Sequence, residues 1–549
     1  MSNVVRHGQR RLVSVSDLRR QIDLALAAGN IIKAAELAER AISVGHVDSQ
    51  LLNLAAWRRE EAGDFRGAHD LLKRALALDP GDVLILGSIG AVLRKEGFPD
   101  KALEILNRVV AAEPRHAAAW LERGYALEQM RSPAAAVESY EKAVALNPGM
   151  APALGKLADD AARRGEKASA RSYAARALAI DSLEPAATFA LATMEIEARE
   201  GATAETRLRR LLAAPGRPED RIRANTLLGD SLDRQDQVNG AFWAYEVAQR
   251  HFADAYRDVL APGPDRPSHR DFIQKISEQV AAAGVIDTLP DVPRLAGEAA
   301  SHIFLIGYPR SGTTLVENIL ASAPNVRALE ERDTLADTDD VIVANDGSMP
   351  NLDTVDPASL HAMRLGYWHR VRAMAGNVEG RVFVDMNPFN GIKLPIIARL
   401  FPRAKIVIMR RDPRDVVLSC FRINFTPSAA AWCFSDLGET ARHYDALMTL
   451  TERCIERLPL AYHEVRYDKL VTDFEPTVRL LASFAGLEWT DDFRSFDRTA
   501  KSRGVQTASA TQVRRGLYDG RGQWRRYREY LVPVLPILQP WVDRLGFDL

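Results

Sequence analysis

The chain has 549 residues, several times a usual domain, so about two to four folding units and a large core are expected. Its 72 basic and 73 acidic residues leave a formal net charge of -1, which argues against a nucleic-acid or other global polyanion binder and confines any anion site to a local cluster. The three cysteines, Cys420, Cys433 and Cys454, lack C-x-x-C or metal-like spacing, and no stretch approaches the about 18 apolar residues of a membrane span, so the expectation is a cytoplasmic protein without disulfide framework, membrane span or metal centre.

The first half is periodic. "ALALDP", "VVAAEP" and "AVALNP" end at Pro80, Pro114 and Pro148, and "ALAIDS" puts Ser182 at the next step, a spacing of 34 each time. Small residues recur in the same frame, including Ala68 and Ala75, Gly124, Ala136 and Ala143, and Ala158, Ala170 and Ala177, as expected where paired helices cross closely. The frame reaches back to Ala34 and forward to a slipped copy with Gly229, Ala241 and Ala248, giving about seven units between Ser16 and His251. This pattern resembles the tetratricopeptide repeat family. The resemblance implies an α-solenoid over 15–255 whose concave face takes a protein or peptide; support of the attached domain and self-association are the alternatives.

Residues 256–300 read as a linker: proline- and glycine-rich "LAPGPDRPSH" and "DTLPDVPRLAGEAASH" flank one amphipathic helix, "DFIQKISEQVAAAG". Residues 301–549 open with "HIFLIGYPRSGTTLVENIL", a buried parallel strand, a turn from Gly307 to Gly312 and a helix from Thr313. A nucleoside-triphosphate loop reads G-x-x-x-x-G-K-[ST]; here Thr313 takes the lysine position and the cation, Arg310, lies inside the loop. The glycines still let backbone N–H groups wrap an anion at a helix N-terminus. A phosphate cradle is therefore expected, and Mg²⁺-dependent phosphoryl transfer is disfavoured.

Further along, His361 and His369 share a helix face and read as packing residues or bases. "FPRAKIVIMRRDPRDVVLSCF" gives a strand from Ala404 to Met409, a turn at Arg411 and a helix from Arg414, with Arg411 and Ser419 both able to face the strand's carboxyl end, where open α/β sheets bind ligands. "HEVRYDKLVTDFEP" ends a strand at Tyr467, either a ligand contact or a core tyrosine. "TASATQVRRGLYDGRGQWRRY" is a basic, aromatic loop containing Arg514 and Arg515. The fold class is an α-solenoid followed by an α/β P-loop-type domain with a mostly parallel sheet.

"PRSGTTL" together with "RRDPRDVVLS" resembles the sulfotransferases that use 3'-phosphoadenosine 5'-phosphosulfate (PAPS), especially the tyrosylprotein sulfotransferase branch and bacterial sulfotransferases fused to tetratricopeptide repeats. The resemblance covers roughly Ser301 to Phe547 and implies sulfuryl transfer from PAPS to a hydroxyl or amine without a metal. It assigns the 5'-phosphosulfate to Arg310, Ser311, Gly312, Thr313 and Thr314, and the 3'-phosphate to Arg411 and Ser419. Tyr467 then approaches the nucleotide, Arg514 and Arg515 close over it, and Glu331 in "NVRALEERDTL" stands at the catalytic glutamate. Two positions depart from that branch. Met386 in "VDMNPFNGIKLP" replaces a lysine, and a thioether does not stabilise developing negative charge as an ammonium does. Either Lys393 or Arg310 takes that duty, with Asn387 and Asn390 as neutral donors, or the acceptor is unlike tyrosine, or activity is lowered and the chain serves as a repeat-based scaffold. Asp333 replaces the branch's peptide-recognising arginine, so the acceptor is not carried over.

Overall fold

The computed structural model describes residues 15–285, 292–344, 347–350, 352, 354–503, 513–514 and 516–547. Among them, seven helix pairs run from Val15–Ala27 with Ile31–Ser43 to Pro218–Arg234 with Val238–Leu260, matching the expected units. Helix starts are fixed locally: the Asp48, Asp64 and Asp82 carboxylates accept from N–H groups of the first turn, and Pro99, Pro133 and Pro218 stand where a missing N–H costs nothing. Second helices stop at Asp79, Glu113, Asn147 and Asp181, one residue before each member of the Pro80, Pro114, Pro148 and Ser182 series.

The small residues have a steric cause. A Cβ on Gly124 would lie 2.3 Å from the Tyr140 ring, and one on Gly229 would lie 2.4 Å from the Tyr245 ring, so in both pairs the aromatic ring rests on bare backbone of the partner helix.

The chain divides into compact units at Leu191 and Ala192, inside the helix Pro185–Glu197. The repeat pattern thus continues in sequence to about residue 255, while the second unit takes the last repeat helices together with the α/β domain. Packing explains this. Phe242 stacks on Tyr530 with ring centroids 3.9 Å apart and on Phe421 at 5.5 Å, and Gln249 donates to the Phe421 carbonyl at 2.6 Å. Asp233 accepts from Arg422 at 3.3 Å, from Arg526 at 2.8 Å and from the Tyr527 hydroxyl, and the Arg422 charge holds its carboxyl below the usual range against burial.

Five strands form the sheet: β1 (Ser301–Ile306), β2 (Val326–Glu330), β3 (Val382–Met386), β4 (Lys405–Arg410) and β5 (Ala461–Arg466). Their order is β2-β3-β1-β4-β5, and every pairing is parallel. One face packs Ile303, Leu305, Val384, Met386 and Val407 against Val316, Ile319 and Leu320 of the helix Thr313–Ala321. On the other, His302, Phe304 and Phe383 meet Tyr367, Trp368 and Phe401. Covering both faces is why the central strands read as unbroken apolar runs. Tyr467 falls one residue past β5 and opens the helix Tyr467–Thr472 instead of ending the strand.

The chain leaves β1 toward β2 at one edge and leaves β3 toward β4 on the other side of β1. The loops after these two adjacent strands therefore part and leave a crevice at the carboxyl edge, the ligand position in open parallel sheets. All three cysteines are buried free thiols, and among the described residues no helix is long and apolar enough to cross a membrane.

Removing the Asp233 carboxylate leaves the buried Arg422 guanidinium with only the more distant Asp230 carboxylate, at 3.8 Å, and the Tyr245 hydroxyl. Asp233→Ala is expected to cost about 3 kcal/mol, read as a lower urea midpoint in the transition followed by near-ultraviolet circular dichroism; an unchanged midpoint would show that this network does not tie the last repeat to the α/β domain.

Candidate functional site

The loop after β1 is short and strained. Ser311 N–H donates to the Tyr308 carbonyl at 3.0 Å, and the tight turn puts Arg310 at φ 70° and Gly312 at φ 111°. Left-handed backbone suits glycine at 312, where an added Cβ would also approach the Tyr467 ring at 3.0 Å and Met409 Cε at 3.1 Å. At Arg310 the same conformation is opposed by the side chain and needs outside support. That support is supplied by neighbours: Arg411 Nη1 donates to the Arg310 carbonyl at 2.8 Å, Cys420 Sγ to the Pro309 carbonyl at 3.4 Å, and the Tyr308 hydroxyl shares a 2.7 Å hydrogen bond with His443 Nδ1. The helix that follows starts at Thr313, so the positive end of its dipole lies beside this loop at the carboxyl end of β1.

Two arginines meet here. Arg310, 9% exposed, donates from Nε to Ser419 Oγ at 3.1 Å. Burial, aided by the Arg411 charge and opposed by Glu331, brings its pKa down to about 10, so it stays protonated at neutral pH. Arg411 donates to the Gly520 carbonyl at 2.6 Å and stacks on the Tyr467 ring, 4.6 Å from its centroid. The Tyr467 hydroxyl donates to the Tyr518 carbonyl at 2.6 Å and accepts from Gly520 N–H at 3.3 Å. Arg310, Gly312, Leu315, Arg411, Tyr467, Val513, Gly516 and Tyr518 line one cleft. Around this edge of the sheet, Ser311 Oγ, Arg411 Nε and Asn390 Nδ2 are buried without a hydrogen-bond partner among the described residues. Paired cations beside unused donors make a site shaped for an anion.

The fold gathers Arg310, Ser311, Gly312, Thr313, Thr314, Arg411, Ser419 and Tyr467 at this edge, with Ser419 bonded to Arg310 and not to Arg411. Arg514 lies between the lining residues Val513 and Gly516; Arg515 is outside the described residues. Glu331 follows β2 at φ 46°, donates its N–H to the Met386 carbonyl at 2.7 Å, and acts electrostatically on Arg310. Lys393 is bound elsewhere, to Asp339 at 2.8 Å and Asp333 at 3.5 Å. The Met386 side chain is fully buried in the core under the first helix. His361 and His369 are exposed on the helix Pro357–Ala375. Among the described residues no group of three His, Cys, Asp or Glu could hold a metal ion.

Three features were not read from the sequence. Glu317, fully buried, accepts from Arg503 at 2.6 Å; burial pushes its carboxyl up to about 7 while Arg503 pulls it down. Asp385 on β3 accepts from Thr334 at 2.6 Å and Tyr367 at 2.8 Å, and burial pushes it up to about 6 against those bonds. Both are lone acids inside apolar stretches, "TTLVENIL" and "VFVDM", which is the signal that could have marked them. Tyr518 and Gly520 act through backbone groups and leave no such signal.

Together, fold and site define an α/β domain with a lysine-free, arginine-containing anion loop at its switch point, preceded by helical repeats. Residues 302–491 match the sulfotransferase family and residues 88–151 the tetratricopeptide repeat. The chain is 29% identical over 356 residues to an uncharacterized protein of Aquifex aeolicus, covering 62% of this chain and 44% of that one. It is 28% identical over 195 residues to protein-tyrosine sulfotransferase 2 of Gallus gallus (34% of this chain, 52% of that one) and 27% over 254 residues to protein-tyrosine sulfotransferase 1 of Danio rerio (45% and 67%). The chain thus spans about half the length of the first two of these relatives. Among solved structures, a thermophilic tetratricopeptide repeat protein of Thermus thermophilus aligns with TM-score 0.30 at 23% identity over 33% of this chain and 98% of its own. The chain therefore joins tetratricopeptide repeats to a sulfotransferase family domain distantly similar to the protein-tyrosine sulfotransferases.

Asp385 gives a pH signature. Its folded pKa of about 6 exceeds the ordinary 3.8, so between these values the folded state binds more protons than the unfolded one and stability falls as pH rises. Asp385→Asn, which keeps an acceptor for Thr334 and Tyr367, is expected to remove a fall of about 3 kcal/mol between pH 4 and 7 in urea titrations; an unchanged slope would refute the assignment.

Proposed function

We propose that the protein is a PAPS-dependent sulfotransferase that moves a sulfuryl group to a hydroxyl or amine, with the repeat array recruiting a protein acceptor or partner. The observation that carries this reading is the convergence of Arg310 and Arg411 from two βα loops, with Ser311 Oγ and Arg411 Nε buried nearby and unused. Those residues fit a bisphosphorylated nucleotide better than a nucleoside triphosphate: two separate cationic loops suit two separated phosphates, and no lysine follows Gly312.

In this reading Arg310, Ser311, Gly312, Thr313 and Thr314 hold the 5' phosphosulfate. Arg411 takes the 3' phosphate, and Ser419 orients Arg310 through its hydrogen bond. Tyr467 keeps the Arg411 guanidinium flat and in register. The donor supplies an activated sulfuryl group whose leaving group is already an anion. What the chain adds is fixed positive charge at that anion and a base for the acceptor proton. Glu331, held by its N–H on Met386 at the crevice rim and lying within the field of Arg310, is the proposed base. Lys393, neutralised by Asp339 and Asp333, contributes no free ammonium; Arg310 carries that duty. The buried Met386 favours one second reading, an inactive donor-binding domain serving a scaffold.

Calorimetric titration with 3'-phosphoadenosine 5'-phosphate beside ATP and adenosine 5'-phosphate tests the donor site. Selective binding of the bisphosphate is expected, weakened at least about tenfold by Arg411→Ala. Absence of binding to folded wild-type protein would remove the enzyme reading.

An acceptor screen with labelled PAPS separates the two readings. Glu331→Gln is expected to lower transfer by about 10²–10⁴-fold while bisphosphate affinity stays unchanged. Tight nucleotide binding with no transfer to any acceptor and no slow donor hydrolysis would favour the scaffold.

A further inference from the structure

Sulfuryl transfer builds negative charge on the oxygen that leaves with the phosphate, while the sulfuryl oxygens carry charge throughout, so hydrogen-bond donors are useful on the β3 side of the crevice as well as on the β1 side. The loop after β3 offers few. Met386 is buried in the core and its thioether donates nothing. The Asn387 side chain caps its own turn, accepting from Phe389 N–H at 3.0 Å. Lys393 is held by Asp339 and Asp333. Asn390 remains: it is 4% exposed, and its Nδ2 has no hydrogen-bond partner among the described residues.

A buried donor left unused costs about 1–3 kcal/mol, which a ligand oxygen would recover. Its location gives the reason to keep it. The 3₁₀ turn Pro388–Lys393 continues from β3, and the Pro388 carbonyl accepts from Gly307 N–H, at the start of the Arg310 loop, at 3.4 Å. The two loops therefore touch at the crevice between β1 and β3, with Arg310 on one and Asn390 on the other.

We infer that the Asn390 carboxamide donates a hydrogen bond to the sulfuryl group presented by the Arg310 loop. This rests on the reading of the domain as a PAPS-dependent sulfotransferase. During transfer the bond from the acceptor oxygen to sulfur forms as the bond from sulfur to the phosphate oxygen breaks. The acceptor proton goes to the Glu331 carboxylate and the electron pair stays on the departing phosphate. Asn390 exchanges no proton and serves only as a neutral donor to the sulfuryl oxygens, the part of the donor that the bisphosphate product lacks.

The test uses the full chain and two nucleotides that differ only in that group. Wild type and Asn390→Ala are titrated calorimetrically with intact PAPS and with 3'-phosphoadenosine 5'-phosphate, and their ligand-free thermal midpoints are compared. The expected result is about tenfold weaker binding of PAPS by Asn390→Ala, unchanged binding of the bisphosphate, and a ligand-free midpoint equal to or above wild type, because an unsatisfied donor has been removed. Equal PAPS affinity in the two proteins would overturn the inference. So would a lowered midpoint with parallel loss of both ligands, which would make Asn390 structural. Wild-type protein that binds neither nucleotide would overturn the donor reading itself, and a wild type that binds both with an indifferent Asn390→Ala would leave that reading standing while rejecting this contact.

Discussion

The site depends on holding two guanidinium groups close together at the carboxyl edge of a parallel sheet. Like charges in a buried corner repel and lose hydration, so such a pair persists only where the framework fixes both members. Here Arg411 donates into the carbonyl of Arg310 itself, tying the second loop to the first, and Gly520 and the Tyr467 ring hold its other faces. The left-handed backbone at Arg310 is part of the same arrangement, since the turn that strains the residue is what exposes its carbonyl to Arg411. An anion placed between the two groups would relieve the repulsion.

That framework extends outward into the repeats. Ser419, which orients Arg310, belongs to the helix Pro413–Phe421, and the next residues, Phe421 and Arg422, are the ones gripped by Phe242, Gln249, Asp233 and Tyr245 from the last repeat pair. The final repeat is thus built into the α/β unit, one helical turn from the donor loop. The last pair of a segment whose sequence reads as a binding array therefore packs against the helix that carries Ser419.

The end of β3 carries Met386 where the resembled sulfotransferases have a lysine. Met386 sinks into the core, Lys393 is consumed by two aspartates, and Asp385 turns to the opposite face to bond Thr334 and Tyr367. In the proposed reading, charge stabilisation there falls to Arg310 and the neutral donor Asn390, a weaker electrostatic set than one with a free ammonium.

The sequence by itself determined the elements whose cause is local or periodic. The 34-residue frame gave the helix pairs because close helix crossings demand small residues at fixed intervals, and "GYPRSGTT" gave the strand-to-helix turn because its two glycines permit a tight loop that ends at a helix N-terminus. Arg411 was legible as following a strand, while Tyr467 read as the end of one and instead opens a helix. What only the tertiary structure decided were partnerships between residues far apart in the chain. Ser419 binding Arg310, Lys393 lost to Asp339, the carbonyls of Tyr518 and Gly520 closing the site, the raised carboxyls of Glu317 and Asp385, and the division of the chain at residue 191 all depend on burial and on which side chains meet across the sheet, and no local pattern encodes either.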